Sequence, residues 1–220
     1  MSLETRRAGG LADPGADFID QFTGLWERHS RVILGAAGAI LVVAAGTYFT
    51  LHSRALQEEQ AAGKLAEANV LFWQGDYVRS LPLARQVSQQ FGSTPSGQDA
   101  HRLAGDDAYW SGDFKAAVAE YGVYLEHQKT GLLADAARRS LAYALESDRQ
   151  FDQARATYDQ LVGVFDRESS AEFLTASARC LLQIKQPAEA ARRLQRIIDE
   201  FGETSGAGRA REMIGELESH

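Results

Sequence analysis

Residues 109–121 read YWSGDFKAAVAEY, and the Gly112-Asp113 pair in this stretch decides between two kinds of protein. A glycine beside an acid can form a tight turn that presents a catalytic carboxylate, or a loop around a phosphate. The same pair can form the turn between two helices, with Asp113 capping the second helix. The choice depends on whether the stretch occurs once or recurs along the chain.

The stretch recurs at a regular interval. Residues 73–77 (WQGDY) match residues 110–114 (WSGDF), and weaker matches follow at residues 147–151 and 183–187. The last positions of these four matches are 37, 37 and 36 residues apart; they are Tyr77, Phe114, Phe151 and Pro187. Four units at nearly one period indicate a repeat protein, and the Gly-Asp pair is the turn inside each unit.

Four further positions recur around each turn. Small residues precede and follow it, where two helices would cross closely, and mostly larger residues come later, where they would fill the layer between hairpins. The small positions hold Ala68, Gly105, Ala142 and Ala178, then Ser80, Ala117, Ala154 and Ala190; the later positions hold Ala84, Tyr121, Tyr158 and Leu194, then Val87, Tyr124, Leu161 and Ile197. Each unit is therefore predicted to be a helical hairpin, with helix A before the turn and helix B after it.

The pattern resembles the tetratricopeptide repeat over roughly residues 61–201. That repeat also has a small residue in helix A, a small polar turn, an aromatic residue that opens helix B, and an alanine followed four positions later by an aromatic residue. Two features depart from it: the period is near 37 residues instead of 34, and the proline that usually ends helix B is not at the position the pattern gives it. Residues 209–218 are expected to form a solvating cap helix, with Ala210, Met213, Ile214 and Leu217 on one side.

One segment breaks the polar average of the chain. Residues 32–51 (VILGAAGAILVVAAGTYFTL) are 20 residues without a charge. As a helix they would span about 30 Å, the thickness of the hydrocarbon core of a bilayer. A cleaved signal peptide is the rival interpretation, but the apolar run is long for one and 31 residues precede it. We therefore predict a transmembrane helix, which the first repeat helix is expected to continue without a break.

The tail before this segment carries a second pattern. Apolar residues at helical spacing predict a short amphipathic helix over about residues 17–29, at the membrane surface or against a protein partner. Its apolar face comprises Phe18, Ile19, Phe22, Leu25 and Trp26. Its polar face is acidic, so attraction to anionic lipid explains it poorly. Residues 1–12 are expected to be disordered.

The apolar segment itself carries small residues along one side. Gly35, Ala39, Val42 and Gly46 fall on one helix face, which in lipid allows a second helix to approach closely. The alternative is that glycine and alanine are simply common in membrane spans. The basic residues favour an N-terminus inside the cell only weakly.

The architecture as a whole is an all-α chain in three parts. These parts are an N-terminal tail over residues 1–31, a transmembrane helix over 32–51 and a repeat domain of about four hairpins over 52–220. This arrangement resembles the bacterial membrane-anchored family of ancillary subunits of the Sec translocon. The resemblance implies a single-pass protein of the inner membrane, with a cytoplasmic N-terminus and periplasmic repeats that cooperate with chaperones.

Composition and motifs give no support to an enzyme. The net charge of −7 removes the electrostatic basis for binding nucleic acid. The five histidines are scattered, Cys180 is expected in the core, and no hydrolase, nucleotide-binding or metal motif occurs. We interpret the adjacent acids Glu58-Glu59 and Asp106-Asp107 as solvated helix faces. No catalytic residue, metal, cofactor or small-molecule substrate is predicted.

The remaining functional surface is the groove that helix A lines in tetratricopeptide arrays. Trp, Tyr and Arg are enriched in binding hot spots, and several fall there. The predicted protein-binding residues are Asn69, Trp73, Arg102, Asp106, Tyr109, Trp110, Arg139, Tyr143 and Arg179. Asn69, Arg102 and Arg139 match only part of the clamp with which some repeat proteins hold a C-terminal carboxylate. Alternatively, the two tryptophans pack the hairpin turns.

Two functions fit this interpretation. The first is an accessory subunit that anchors itself at a membrane complex such as the secretion translocon and binds a client or chaperone in the groove. The second is a permanent structural subunit of another large membrane assembly, either energy-converting or in envelope biogenesis.

Overall fold

The computed structural model describes the backbone of residues 14–219 and the side chains of residues 29–219. Within these residues it contains nine α-helices and no β-strand, so the predicted all-helical fold is confirmed. The helices are α1 (Pro14–Trp73), α2 (Tyr77–Phe91), α3 (Pro95–Trp110), α4 (Phe114–His127), α5 (Leu132–Ser147), α6 (Phe151–Leu161), α7 (Arg167–Gln183), α8 (Pro187–Glu200) and α9 (Ser205–Glu218).

Helix α1 is continuous over 60 residues, as expected for the stretch that leads from the apolar segment into the first repeat. The predicted tail helix is the beginning of α1 and is not a separate element, because no helix-breaking residue lies between Trp26 and Val32. Side chains of the predicted face Phe18, Ile19, Phe22, Leu25 and Trp26, and the predicted disorder of residues 1–12, lie outside the described residues. The chain divides into two compact units between Ala55 and Leu56.

The apolar part of α1 is uncovered. The stretch His29–Trp73 is long and apolar enough to cross a membrane, and the described residues bury none of its most apolar part. A signal sequence near the N-terminus would have the same properties. A Cβ added at Gly35 or Gly46 would meet no atom within 4 Å. The small-residue face that includes Ala39 and Val42 is thus uncovered by the described residues.

The repeats form four helical hairpins and a cap. The last part of α1 pairs with α2, α3 with α4, α5 with α6, and α7 with α8; in each pair the first helix is helix A and the second is helix B. All four recurring positions are buried in all four units, including Gly105, Tyr121 and Tyr158. The core predicted for each hairpin from the repeat frame is therefore the core that the structure has.

The hairpin turns share one backbone conformation. The residue before each helix B cap has positive φ: Gly75 at 77°, Gly112 at 82°, Arg149 at 62° and Lys185 at 59°. Asp113 accepts a hydrogen bond from the Ala116 amide at 3.1 Å, as expected of an N-cap. The stretch YWSGDF is thus a turn between helices. The third and fourth turns adopt the same shape without glycine, which the sequence did not reveal.

Glutamates from one unit cap helices of the next. Glu58 of α1 accepts a bond from the Ser96 amide at the start of α3, at 3.1 Å. Glu168 of α7 accepts a bond from the Ser205 amide at the start of α9, also at 3.1 Å. Burial opposes the change, but the bonds from Ser96 lower the pKa of Glu58. The interpretation of Glu58 as a merely solvated acid was wrong, because its partner comes from 38 residues away.

The cap helix α9 closes the last hairpin. Ala207 and Ala210 are buried against α7 and α8, and Met213, Ile214 and Leu217 pack on the same cluster. The helix begins at Ser205, four residues before the predicted start at 209. Its outer face is exposed, as expected of an element that terminates a repeat array.

Candidate binding cleft on the A helices

A cleft lies between helix A of the second unit (α3) and helix A of the third (α5). Its volume is about 220 Å³, and it is open to solvent. It brings together five of the predicted groove residues with two that were not predicted; the lining comprises Asp106, Tyr109, Trp110, Tyr121, Arg139, Ser140 and Tyr143. The repeat frame explains the grouping, since residues one period apart stand side by side on successive A helices.

Asp106 lines one side of the cleft, and both of its carboxylate oxygens accept hydrogen bonds. Its Oδ1 accepts a bond from the Tyr121 hydroxyl at 2.6 Å, and its Oδ2 accepts one from Arg102 at 3.1 Å. Arg102 also donates to Asp99 at 2.9 Å, so this guanidinium is held by two acids of its own helix. Burial raises the pKa of Asp106, although the bond from Tyr121 and the charge of Arg102 oppose it. Both side chains are thus already engaged by partners within the fold.

Arg139 is the available cation of the cleft. Among the described residues it has no acidic partner, and its guanidinium carbon lies 5.4 Å from the centre of the Phe165 ring. The Tyr143 hydroxyl, one turn further along α5, donates to Glu172 at 2.9 Å. Burial and this bond raise the pKa of Tyr143 to about 12, so it remains a neutral phenol. The cleft thus combines aromatic faces with one uncommitted positive charge.

The two tryptophans are packed on one side and exposed on the other. Trp110 stacks on Tyr77 with ring centres 6.5 Å apart, and Trp73 meets Phe72 edge-on at 5.3 Å. Trp73 nevertheless remains 81% exposed and Trp110 62% exposed. Together with Gly75 they line a second depression beside the first two hairpin turns. Packing against the hairpin turns therefore buries only part of each tryptophan side chain.

Besides Trp73, three predicted groove residues lie outside the lining of the cleft. Asn69 donates to the Leu65 carbonyl of its own helix at 3.0 Å. Arg179 makes a two-bond ion pair with Glu146, at 2.6 and 2.8 Å, and lines a separate depression beside α9. Arg102 is paired as described above. Of the three residues that partly match a carboxylate clamp, Arg139 alone lies in the cleft without an acidic partner.

The interpretation of Asp106-Asp107 as a solvated pair was wrong. Asp106 is half-buried, because Tyr121 of α4 covers it, and Asp107 is fully buried with its Oδ2 2.7 Å from the Ser80 hydroxyl. The alignment of the repeats could have indicated this burial, because Ser80 and Asp107 occupy positions where the second and third interfaces between hairpins carry apolar residues. Those residues are Ala117 with Ala144, and Ala154 with Cys180.

The side chains that line the cleft are suited to recognition. Cys180 is in the core, as predicted, and burial raises the pKa of its thiol to about 12. In the part of the chain that the structure describes, no group of three histidines, cysteines or acids is placed to hold a metal. What the cleft offers is aromatic surface, hydrogen-bonding hydroxyls and a cation.

Comparison with known proteins agrees with the helical repeat fold. The family model of the tetratricopeptide repeat-like domain matches residues 24–178, which include the apolar segment and the first three hairpins. Among solved structures, the nearly identical repeats of a Podosopora anserina protein described as a putative kinesin light chain superpose with a TM-score of 0.57, at 15% identity over 73% of this chain and 86% of that one. A tetratricopeptide repeat protein from Parabacteroides merdae gives a TM-score of 0.61, at 12% identity over 73% of this chain and 61% of that one. At these identities the likeness concerns the fold. No curated protein sequence matches significantly.

Proposed function

The chain belongs to the tetratricopeptide repeat-like domain family, and from this premise we propose that it is a membrane-anchored scaffold for protein–protein interaction. Repeats of this kind mediate binding of proteins or peptides. We further propose that it serves as an accessory subunit of a membrane complex such as the secretion translocon, with the repeats on the periplasmic side binding a client or chaperone. The observation that carries the proposal is the open aromatic cleft between α3 and α5.

The anchoring part of the proposal rests on α1. Residues 32–51 are apolar and exposed, and water would not tolerate so large a continuous apolar surface. The small-residue face from Gly35 to Gly46 provides a contact for a transmembrane helix of the host complex. The tail face around Phe22 and Trp26 is proposed to add a second contact at the membrane surface or on that complex.

The recognition part rests on the chemistry of the cleft. An apolar or aromatic side chain of the partner would pack among Tyr109, Trp110 and Tyr143, where ring surface is exposed. A carboxylate next to it would pair with Arg139, whose charge is uncommitted among the described residues. The proposed partner segment therefore combines an apolar side chain with an acidic group.

Extraction in mild detergent tests the scaffold function. The full chain and the double variant Trp110→Ala/Arg139→Ala would be purified from membranes under identical conditions, and proteins that co-purify would be quantified by mass spectrometry. We expect a partner that the variant loses, while the host complex bound through α1 is retained. Arg211→Ala, a change of an exposed arginine on α9, is the matched control. Recovery of the wild-type chain alone, under conditions that preserve other membrane complexes, would refute the subunit role.

A permanent structural subunit is the second candidate, favoured by the uncovered small-residue face of α1. A permanent subunit should co-purify with its host complex at a fixed ratio, and that ratio should not change when the side chains of the cleft are removed. The same experiment separates the two candidates, because only a cleft that binds a partner makes recovery depend on Trp110 and Arg139.

Protease treatment of intact cells and spheroplasts tests the topology. The periplasmic proposal predicts cleavage of residues 60–220 in spheroplasts and protection in intact cells. Protection in spheroplasts would overturn it, provided that the folded repeats are cleaved once the membrane is opened.

A further inference from the structure

The interface between the first and second hairpins differs from the next two at two equivalent positions. Ser80 of α2 and Asp107 of α3 meet where the later interfaces pair alanine with alanine or cysteine. We propose that the Ser80–Asp107 pair is a proton-sensitive joint, held closed when Asp107 is a neutral acid and loosened when it ionises.

The count of hydrogens supports a neutral Asp107. The Ser80 Oγ lies 2.7 Å from Asp107 Oδ2 and 2.9 Å from the Ala68 carbonyl oxygen of α1. A hydroxyl carries a single proton, so it cannot donate to both oxygens. If Asp107 is protonated, it donates to Ser80 and Ser80 donates to Ala68. A chain of two hydrogen bonds then links α3, α2 and α1, and every short contact is satisfied.

The surroundings also disfavour a charge on Asp107. The side chain is fully buried, and its second oxygen, Oδ1, has no hydrogen-bond partner among the described residues. The charged neighbour that acts on it is Asp106, a like charge on its own helix. From α1 and α2 it faces a carbonyl and a hydroxyl, and on α4 the Tyr121 hydroxyl is committed to Asp106. Arg102 is held by Asp99 and Asp106, so no cation among the described residues compensates for a charge on Asp107.

The protonation equilibrium gives the direction of the effect. Burial, opposed by the Ser80 hydrogen bond and reinforced by the charge of Asp106, raises the pKa of Asp107 from 3.8 to about 6. Because the folded-state pKa is raised, the proton stabilises the joint at low pH. That stabilisation is lost as the pH rises from about 4 to about 6. The end of α1 and α2 should therefore open more readily at pH 7 than at pH 4.5.

A second serine–aspartate pair provides an internal contrast. Ser177 of α7 donates to Asp159 of α6 at 2.8 Å, but Asp159 also accepts a bond from Arg193 at 2.9 Å and is partly exposed. Both of its carboxylate oxygens accept hydrogen bonds, so the third interface lacks the unpartnered oxygen that distinguishes Asp107.

Hydrogen–deuterium exchange of the full chain in detergent micelles tests the joint. Uptake would be measured at pH 4.5 and 7 and corrected for the intrinsic pH dependence of exchange. We expect about a tenfold faster opening of peptides from residues 77–91 at pH 7, since one proton is coupled to the opening. Peptides from α8 should change by less than about twofold.

Variants at the joint decide the outcome. Asp107→Asn keeps the size and a donor toward Ser80, so its α2 protection should be independent of pH and match the wild type at pH 4.5. Asp159→Asn should retain the wild-type response. The double variant Ser80→Ala/Asp107→Ala restores the apolar pairing of the other interfaces and should also abolish the response, which covers the case in which Asp107→Asn does not fold. A tenfold change that persists in either Asp107 variant, or its absence in the wild type, would overturn the proposal.

Discussion

Two places in the molecule use the same pair of repeat positions but carry different side chains. One is the cleft between the second and third hairpins, and the other is its equivalent between the third and fourth hairpins. Tyr109 and Tyr143 line the open cleft. One period on, the same two positions hold Glu146 and Arg179, which close on each other through bonds of 2.6 and 2.8 Å. The Tyr158 hydroxyl adds a third bond, to Glu146 at 2.7 Å.

This difference shows what a repeat frame determines and what it leaves to individual residues. The period places helices, turns and core side chains in every unit, because each hairpin must bury the same faces against its neighbours. The exposed positions of helix A are not constrained in this way. One pair of them provides a binding surface, and the next provides an internal ion pair.

The largest expected effect concerns binding in the open cleft. Trp110→Ala should weaken binding of the co-purifying partner by about thirtyfold, about 2 kcal/mol, because a central exposed tryptophan is a typical hot spot. Arg139→Ala should have a similar effect that is smaller at high salt. Arg179→Ala, at the closed position, is the control and should bind as the wild type. Titration of the partner by fluorescence anisotropy measures all three. Equal losses in all three would remove the distinction between the two places.

The closed position should matter for stability instead. Glu146→Gln removes the ion pair with Arg179 and weakens the bond from the buried Tyr158 hydroxyl. We expect the free energy of unfolding to fall by about 1–2 kcal/mol, mainly through the buried hydroxyl, since Arg179 is half-exposed. Urea unfolding followed by circular dichroism measures the change. Glu126→Gln, at an exposed glutamate of α4, should leave stability within about 0.5 kcal/mol.

The smallest effects are expected at the hairpin turns. The positive-φ position holds glycine in the first two turns and arginine or lysine in the last two. Gly112→Ala should destabilise the chain by about 1 kcal/mol, because alanine is strained at a φ of 82°. Arg149→Gly, at a φ of 62° in the third turn, should have the opposite sign and raise stability by a few tenths to about 1 kcal/mol. The same urea titration applies. A destabilised Arg149→Gly would mean that the arginine side chain contributes more than its backbone strain costs.

Much of the fold could be predicted because repetition tests each assignment several times. The turn at Gly112-Asp113 and the buried small positions such as Ala142 followed from one alignment of the chain on itself, and the cap helix followed from the apolar side of residues 209–218. The third and fourth turns were harder, since Arg149 and Lys185 adopt a glycine-like backbone without glycine. Tertiary packing determines that conformation, and local sequence does not show it.

The site was predictable only as a set of candidates. Helical register placed Asp106, Tyr109 and Arg139 on helix A, and the structure brings them together. It could not show that Arg102 is held by its own helix or that Asp107 is buried, because those outcomes depend on Tyr121 and Ser80 from other helices. Which side chains become partners across an interface depends on how the hairpins pack against each other in the folded chain.

Site-specific photo-crosslinking in native membranes tests the central claim most directly. A photoreactive phenylalanine analogue would replace Trp110 in the open cleft or Ser147, its equivalent one period later. Crosslinked products would then be identified by mass spectrometry. We predict a crosslink from position 110 to a partner protein that is reduced at least severalfold by Arg139→Ala, with little or none from position 147. Equal crosslinking from both positions, or none from position 110 while the protein remains in its membrane complex, would contradict the assignment of the cleft as a binding site.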